Sequence, residues 1–267
     1  MNEVARALFQ GPRISYSELA SWLRCPRQHS YRYLERATPE HKSSALAFGS
    51  AIHRALAHFY SAMRDGEEEP CADELHDVFS GAWDEQLAED VPVLFGDKED
   101  AGGMKDTGVA MLDAFLEQGL RVDRVVEVEM PFSVELIDAD SGDSLPRFVG
   151  VFDMVTQAPD GSYSVVEHKT GARRWTEDRL AFDAQISGYA AAAPLVGLGE
   201  AQVQVQLLLK TKKPAVEVYR PTRTDRDLEE FLEMACGVAR SIDAGISFPR
   251  RDWWCRGCEF AGRCVAG

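Results

Sequence analysis

Apolar residues recur along this chain with two periods, one typical of strands and one typical of helices. Residues 147–157 (RFVGVFDMVTQ) and 163–170 (YSVVEHKT) alternate apolar and polar positions, and a Pro-Asp-Gly sequence at 159–161 joins them. Alternating runs on either side of a proline and glycine turn predict a β-hairpin. By the same criterion, further strands are predicted over residues 122–135, 202–210 and 215–220.

Other stretches space their apolar residues three and four positions apart, which predicts amphipathic helices. Ser15 and Glu18 resemble a capping box at the start of a helix that ends near residue 24, and Pro26 can begin a second helix that ends near residue 36. Further helices are predicted over 45–63, 177–193 and 225–244. Together these elements predict an α/β fold with a mixed central sheet flanked by helices.

The predicted hairpin brings three charged side chains together. If the turn is centred near residue 160, Asp153 lies opposite Glu167, and Lys169 projects from the same face as Glu167. Facing carboxylates repel each other and lose solvation, so a cation must offset them. Magnesium could do so, bridging the carboxylates to a phosphate and activating a water, which indicates a metal-dependent nuclease centre. An ordinary charge cluster, in which the lysine neutralises both acids, fits the same pattern.

Composition places the chain among ordinary globular proteins. It has 267 residues, of which 45% are hydrophobic, and no apolar run approaches the roughly 20 residues of a membrane-spanning helix. Its first thirteen residues lack the apolar stretch and cleavage site of an export signal, so we expect a cytoplasmic protein with no membrane partner. Because that compartment is reducing, we expect cysteines of this chain to bind metal rather than to form disulfides.

A net charge of -15 is unexpected for a protein that binds nucleic acid, but the imbalance is local. Residues 65–113 hold sixteen acidic residues against two lysines, and the rest of the chain is close to neutral. We predict that this acidic stretch is a helical elaboration outside the sheet. Basic clusters elsewhere, Arg173 and Arg174 among them, could line a path for phosphates or could simply be solvated surface.

Four cysteines near the two ends of the chain suggest a second metal centre. Cys255, Cys258 and Cys264 lie within ten residues, a spacing that suits thiolates around one soft metal, and Cys25 is the natural fourth ligand. An iron-sulfur cluster or a zinc ion would both fit. Zinc ribbons usually carry two cysteine pairs, whereas this chain has one pair and two separate cysteines, which favours iron-sulfur. Cys71 and Cys236 have no cysteine neighbour, and we expect them to be buried in helices.

In combination, these residues resemble the iron-sulfur-containing, RecB-like branch of the PD-(D/E)XK nuclease superfamily. That branch includes AddB nuclease domains and CRISPR-associated RecB-like exonucleases. The resemblance spans most of the chain and rests on SYSELASWLRCPRQHSYRY, FGSAIHRAL, RFVGVFDMV, VVEHKTG, AQISGYA and the terminal CRGCEFAGRC. The order and combination of these segments are specific, although no single segment is.

The resemblance implies a role for each matching residue. His53, Asp153 and Glu167 are expected to bind magnesium or manganese, with the backbone carbonyl of His168 as a further ligand, and Lys169 is expected to assist catalysis. The four cysteines Cys25, Cys255, Cys258 and Cys264 are expected to hold a 4Fe-4S cluster. Gln185 and Tyr189 match a glutamine-tyrosine motif and are expected to position DNA or the hairpin.

The same resemblance implies an organisation and an activity. We expect one nuclease domain over 1–267 with a restriction-endonuclease-like core, in which an iron-sulfur staple joins the N- and C-terminal segments. Its parts are N-terminal helices at 14–64, the acidic elaboration at 65–120, the sheet core at 121–222 and the C-terminal helix with the cluster at 223–267. The expected activity is exonucleolytic hydrolysis of single-stranded or duplex DNA ends in repair, recombination, or phage or CRISPR-related processing.

Two alternatives remain open from the sequence. The chain has no G-x-x-x-x-G-K-[ST] loop for ATP, so a nuclease subunit of this kind could depend on a separate helicase partner. A metal-stapled protein that binds nucleic acid without cleaving it is the second alternative. The complete set of His53, Asp153, Glu167 and Lys169 argues against that alternative, because binding alone does not need opposed buried carboxylates.

Overall fold

The computed structural model describes residues 8–9, 11–119, 122–135, 137, 141–142, 144 and 146–266. Its strands are β1 (Arg13–Ser15), β2 (Lys42–Ser43), β3 (Val93–Leu94), β4 (Arg124–Val134), β5 (Arg147–Gln157), β6 (Tyr163–Gly171), β7 (Gln202–Leu209) and β8 (Ala215–Tyr219). Its helices are α1 (Tyr16–Arg24), α2 (Pro26–His29), α3 (Ser44–Asp65), α4 (Ala72–Ala88), α5 (Ala101–Gln118), α6 (Glu177–Ala181), α7 (Ala184–Leu195), α8 (Asp225–Asp243) and α9 (Ala261–Ala266). This mixture of strands and helices confirms the predicted α/β class.

The chain divides into two compact units. Unit 1 comprises Met1–His41, Pro131–Gly150 and Arg223–Gly267, and unit 2 comprises Lys42–Met130 and Val151–Thr222. Strands β4 and β5 each contribute residues to both units. The expectation of a single nuclease domain stays a prediction.

Unit 2 contains a mixed sheet built on the predicted hairpin. The second half of β5 runs antiparallel to β6, from Gln157 opposite Tyr163 to Met154 opposite Val166. Strand β7 is parallel to β6 and antiparallel to β8. The predicted mixed sheet is therefore confirmed, and its strands match the predicted ones to within a residue or two.

The turn of this hairpin is also where the sequence places it. The backbone N–H of Ala158 donates to the carbonyl of Ser162 at 2.9 Å, and the Asp160 carboxylate accepts the Ser162 N–H at 2.9 Å. Gly161 has a φ of 89°, a left-handed value that glycine adopts without steric cost. These local contacts fix the register of β5 against β6.

Helix α3 packs against one face of this sheet. Ser43 caps its start by accepting the N–H of Leu46 at 3.2 Å, and Gly66, with a φ of 73°, ends it in the left-handed conformation. Its buried stripe includes Phe48, Ile52, Leu56, Phe59 and Tyr60. The stripe joins Met154, Val166 and Leu208 of the sheet in one hydrophobic cluster. Burial of each large apolar side chain contributes about 1.5–3 kcal/mol.

The acidic stretch forms helices, as predicted, but it is part of the core rather than an addition to it. Helices α4 and α5 direct Phe79, Trp83 and Phe115 into the cluster described above, while every acid between residues 65 and 113 except the half-buried Glu99 is exposed. Gly108 of α5 lies so close to the Phe79 ring that a Cβ there would overlap it. The two helices therefore need glycine to pack at this distance.

Unit 1 contains the two N-terminal helices. Ser15 caps α1 by accepting the N–H of Glu18 at 3.2 Å, which confirms the predicted start. Helix α2 continues into a π-helical turn, Ser30–Leu34, instead of remaining α-helical to about residue 36. In the same unit, β1 pairs in parallel with the first residues of β5, and the ring of Phe231 on α8 lies 5.5 Å from that of Phe148 on β5.

The helix predicted over 177–193 is two helices. Helix α6 ends at Ala181, and Asp183 begins α7 by accepting the N–H groups of Gln185 and Ile186 at 3.0 and 3.2 Å. An aspartate side chain competes for backbone donors in this way and favours a helix start over a helix interior. The break therefore follows from one residue inside an otherwise helical pattern.

In the part of the chain that the structure describes, no helix combines the length and the apolarity needed to cross a membrane. The expectation that no export signal is present rests on residues 1–13, of which residues 1–7 and 10 lie outside the described residues.

A polar cluster in unit 2 generates a stability prediction. The Glu99 carboxylate accepts from Ser44 Oγ at 2.6 Å and from Lys210 Nζ at 2.9 Å, and these contacts lower the pKa of Glu99 to about 2. A carboxyl whose pKa is depressed on folding stabilises the protein above its ordinary pKa of 4.5, and this contribution is lost as the pH falls toward 2. We predict that Glu99→Gln lowers the free energy of unfolding by about 1 kcal/mol at pH 7.

Urea unfolding at pH 7 and at pH 3 measures this effect. The difference between Glu99→Gln and the parent protein should be smaller at pH 3. Glu67→Gln, at an exposed position of the same stretch, is the control and should leave stability unchanged at both pH values. A Glu99→Gln protein as stable as its parent at pH 7 would contradict the prediction.

Candidate active site

The ladder between β5 and β6 ends where the predicted charged residues begin. Its last pair is Met154 with Val166, so Asp153 and Glu167 are the next residues along the same register. Glu167 is buried, and Asp153 and Lys169 are half-buried. All three belong to unit 2, and the structure thus places them together as the sequence indicates.

Asp153 is held by one backbone donor and one imidazole. The N–H of His168 donates to Asp153 Oδ2 at 2.7 Å, and His53 Nδ1 on α3 lies 3.5 Å from Asp153 Oδ1. Burial raises the pKa of Asp153, but the contacts with His53 and His168 outweigh it and lower the pKa. Burial likewise lowers the pKa of His53, and the Asp153 carboxylate outweighs that effect and raises the pKa. Each of these two groups therefore stabilises the charged form of the other.

Whereas the surroundings of Asp153 lower the pKa of that residue, those of Glu167 raise its pKa. Its burial and the nearby negative charge of Asp153 raise its pKa, while Lys169 lowers it by a smaller amount. Oε1 of Glu167 accepts from Lys169 Nζ and, at 2.8 Å, from Gln185 Nε2. Oε2 is buried and has no hydrogen-bond partner among the described residues. The site therefore contains a carboxylate oxygen that is neither solvated nor paired.

Gln185 and Tyr189 connect helix α7 to the hairpin. Gln185 Oε1 accepts from Lys169 Nζ at 2.8 Å, and its Nε2 donates to Tyr189 Oη at 3.0 Å. The Tyr189 hydroxyl in turn donates to the carbonyl of Val151 at 2.8 Å. One glutamine thus orients both Lys169 and Glu167, and one tyrosine holds β5 against that glutamine. The role of this motif in positioning DNA or the hairpin stays a prediction.

His168 points its side chain to the other face of β6, as strand alternation predicts. Its ring is buried and stacks on Tyr60 of α3, with ring centroids 5.4 Å apart and an interplanar angle of 3°. Burial lowers the pKa of His168 to about 4, so the imidazole is neutral at pH 7. Ligation of a metal by its backbone carbonyl stays a prediction.

The two arginines predicted to contact DNA lie on the surface after β6. Arg174 forms an ion pair with Glu217 of β8 at 2.6 Å, whereas Arg173 is exposed and has no ion pair with a described residue. Arg173 is therefore the better placed of the two to meet a phosphate.

The four predicted cluster ligands lie together in unit 1. Cys25, Cys255, Cys258 and Cys264 all line one cavity of about 80 Å³. Cys25 Sγ accepts the N–H of Arg250 at 3.4 Å and Cys255 Sγ accepts the N–H of Asp252 at 3.5 Å. Burial raises the pKa of the Cys258 thiol, and a backbone N–H from Phe260 partly offsets it. The other two cysteines differ from each other: Cys236 is buried in α8 as expected, but Cys71 is exposed before α4, so that prediction was wrong.

Metal binding needs more than the proximity of donors. Among the residues that the structure describes, no three histidine, cysteine, aspartate or glutamate side chains are placed so that they could together hold a metal ion. At the hairpin, Glu167 is paired with Lys169, and Asp153 is paired with His53. The donor chemistry nevertheless fits a divalent cation, because two carboxylates lie together and Oε2 of the buried Glu167 has no partner in the described chain.

Comparison with protein families decides what kind of protein this is. The sequence profile of the PD-(D/E)XK nuclease superfamily matches residues 13–265. The chain belongs to this superfamily. A mixed sheet flanked by helices, as found in unit 2, is consistent with the restriction-endonuclease-like core of PD-(D/E)XK proteins. No curated protein sequence matches the chain.

Two solved structures are similar to this PD-(D/E)XK protein at low identity. The structure of SSO0001 is 13% identical, with 96% of this chain and 87% of that chain covered and a TM-score of 0.47. A candidate exonuclease from Eubacterium rectale is 15% identical, with 89% of this chain and 91% of that chain covered and a TM-score of 0.44.

Sequence reasoning missed two groups that shape this site. Asp183, which caps α7, sets the position of Gln185, and its place before an apolar helical run was a usable signal. The stacking of His168 on Tyr60 carries no sequence signal, because the two residues are more than 100 positions apart.

The raised pKa of Glu167 generates a prediction about stability. Because the folded protein binds this proton more tightly than the unfolded chain does, stability falls as the pH rises from the unfolded pKa through the folded one. Glutamine at this position keeps an oxygen for Lys169 and Gln185 but has no charge. We predict that Glu167→Gln raises the free energy of unfolding by about 1–2 kcal/mol at pH 8 and by less at pH 5.

Denaturant unfolding at the two pH values in metal-free buffer tests this prediction. Glu177→Gln, in the first turn of α6, is the control and should show no such pH dependence. A Glu167→Gln protein less stable than its parent at pH 8 would show that Glu167 stabilises the fold.

Proposed function

We propose that this protein is a magnesium- or manganese-dependent deoxyribonuclease that removes nucleotides from DNA ends. The observation that carries the proposal is the pair of half-buried Asp153 and buried Glu167, with one unpaired carboxylate oxygen of Glu167 beside Lys169. PD-(D/E)XK nucleases typically use magnesium or manganese, and the donor set suits either ion. Residues 1–267 are proposed to form one nuclease domain.

The proposed metal ligands are the side chains of His53, Asp153 and Glu167 with the backbone carbonyl of His168. When bound, the metal would polarise a phosphate oxygen and lower the pKa of a coordinated water. Releasing Glu167 from Lys169 and Asp153 from His53 would free both carboxylates for the ion. The cation would also offset the repulsion between the two acids, in place of the contacts with Lys169 and His53.

Lys169 has two roles in this proposal. Its ammonium orients the attacking water, and its positive charge stabilises the negative charge that develops on the phosphate. Gln185 keeps the ammonium at the carboxylates, and Tyr189 keeps Gln185 in place. No side chain needs to form a covalent bond to the substrate, and the displaced group is the 3′ oxygen.

DNA is the proposed substrate and partner, as single-stranded or duplex ends. Arg173 is the proposed phosphate contact, with Arg174 available if its pair with Glu217 opens. Repair and recombination are the proposed setting, with phage or CRISPR-related DNA processing as the other pathways. Six free thiols suit the reducing cytoplasm that we propose as the location.

Membership of the RecB-like branch, with a 4Fe-4S cluster at Cys25, Cys255, Cys258 and Cys264, is the second part of the proposal. Four thiols around one cavity are the donor set that a cluster requires, and zinc is the alternative occupant. Backbone N–H groups point at three of the four sulfurs, and such donors favour the thiolate form that binds metals. We propose that the cluster is structural.

The nuclease proposal predicts that Lys169→Ala loses cleavage. Loss of one preorganised cationic group should lower kcat at least about 100-fold, because such groups act mainly in the transition state. The measurement is cleavage of end-labelled single- and double-stranded DNA with magnesium, with manganese and with a chelator. Lys212→Ala, at an exposed position after β7, is the control and should match the parent protein.

The outcomes separate the proposal from its alternatives. Metal-dependent cleavage that Lys169→Ala loses supports the nuclease. Cleavage that begins only when a helicase and ATP are added would favour the helicase-dependent subunit. DNA binding without cleavage under any of these conditions would favour the non-catalytic binder.

The cluster proposal predicts that Cys258→Ala lowers the yield of folded protein and removes the visible absorption of an iron-sulfur cluster after anaerobic purification. The reason is that metal binding by several thiolates is coupled to folding. Cys71→Ala, which changes an exposed cysteine outside the cavity, is the matched control and should retain iron and yield. Zinc in place of iron in the purified protein, or unchanged stability of Cys258→Ala, would contradict the cluster.

A further inference from the structure

Beneath the hairpin, on the face of β6 away from Glu167 and Lys169, lies a small polar cluster of His168, Tyr60 and Gln206. His168 is 3% exposed, and Tyr60 and Gln206 are fully buried. Gln206 of β7 is opposite His168 in the ladder, and its Nε2 donates to Tyr60 Oη at 3.3 Å. The imidazole thus stacks on Tyr60 and neighbours the amide of Gln206.

His168 of this cluster contacts two of the proposed metal ligands, His53 and Asp153. The His168 ring meets the His53 ring edge-to-face, with centroids 6.2 Å apart and planes at 81°. Its backbone N–H is the donor to Asp153 Oδ2 described above. Tyr60 and His53 lie seven residues apart on α3, which is about two helical turns on one face. The cluster, His53 and Asp153 therefore form one continuous set of contacts.

Stability does not explain why this position holds a histidine. His168 Nδ1 is buried and has no hydrogen-bond partner among the described residues, which costs free energy. Beyond Tyr60, Gln206 and His53, the packed region around this ring is apolar and includes Met154, Val166 and Leu208. An apolar residue would satisfy such a site better, and features that destabilise a fold commonly serve function.

We propose that His168 is a positioning residue of this nuclease, whose ring, stacked on Tyr60 beside Gln206, fixes for metal binding the orientation of the His53 imidazole, which in turn contacts Asp153. The inference rests on the function proposed above. Groups behind metal ligands commonly act in this way, because ligands must be held within about 0.5 Å of their productive positions. His168 would not touch the substrate.

The test uses His168→Leu, which removes the polar ring and keeps an apolar side chain of similar size. We expect kcat to fall about 10- to 100-fold and manganese affinity, measured by calorimetry, to fall in the same range. KM for DNA should change less than about threefold, because no DNA contact is removed. The midpoint of denaturant unfolding should stay at or above that of the parent protein.

The matched control is Gln204→Leu. Gln204 is a buried glutamine on the same strand and the same face, two residues before Gln206, and its amide donates to Ser164 rather than to the cluster. It should retain activity and metal affinity. The NMR signals of the His53 imidazole give a readout that needs no activity: they should broaden or split in His168→Leu and stay single in Gln204→Leu.

Each outcome decides the inference. A folded His168→Leu protein with the kcat, manganese affinity and His53 signals of its parent would overturn it, and so would losses that track a fall in stability. If His168→Leu does not fold, Tyr60→Phe removes only the hydroxyl that Gln206 contacts, and an unchanged manganese affinity in that variant would overturn the inference. If the parent protein binds manganese but cleaves no DNA, the proposed function is wrong. The comparisons of manganese affinity and of the His53 NMR signals would still test the role of His168.

Discussion

The repulsion between two carboxylates at the end of a β-ladder is the constraint on which the candidate site depends. Asp153 and Glu167 are too close to be ionised together without compensation, and burial denies them water. The surrounding structure compensates the two acids separately. His53 and a backbone N–H stabilise the negative charge on Asp153, whereas Lys169 and Gln185 donate hydrogen bonds to Glu167. As a result, the electrostatics of this site favour the binding of positive charge.

Local patterns predict the hairpin and its charged residues well. The turn at residues 159–161 and the alternation on either side of it fix the register, and the register alone places Asp153 next to Glu167 and puts Lys169 on the same face. Most of the other strands and helices also begin and end near their predicted residues, because caps such as Ser15 and the glycine at position 66 act on their immediate neighbours.

Long-range packing is what the sequence pattern could not supply. His53, Gln185 and the Tyr60 ring reach the hairpin from two different helices, and only the resemblance to known nucleases pointed to the first two of these residues. The acidic stretch was interpreted as an elaboration because its charges dominate the composition, although Phe79, Trp83 and Phe115 make it part of the core. The composition of such a stretch is dominated by the charged residues on the exposed face of each helix, and it does not predict what the buried face contacts.

The π-helical turn at Ser30–Leu34 has a consequence for how this chain can vary. Such a turn holds one more residue than an α-helical turn, and its last backbone bond runs from the N–H of Glu35 to the carbonyl of Ser30. Loss of one residue there would leave an ordinary α-helical turn and would keep the orientation of the residues on either side, because the π-helical turn already absorbs the extra residue. Glu35 could then keep its contact with Arg263 beside the cysteine cavity. Relatives of this protein should therefore tolerate the loss of one residue in this segment more readily than in an uninterrupted helix such as α3.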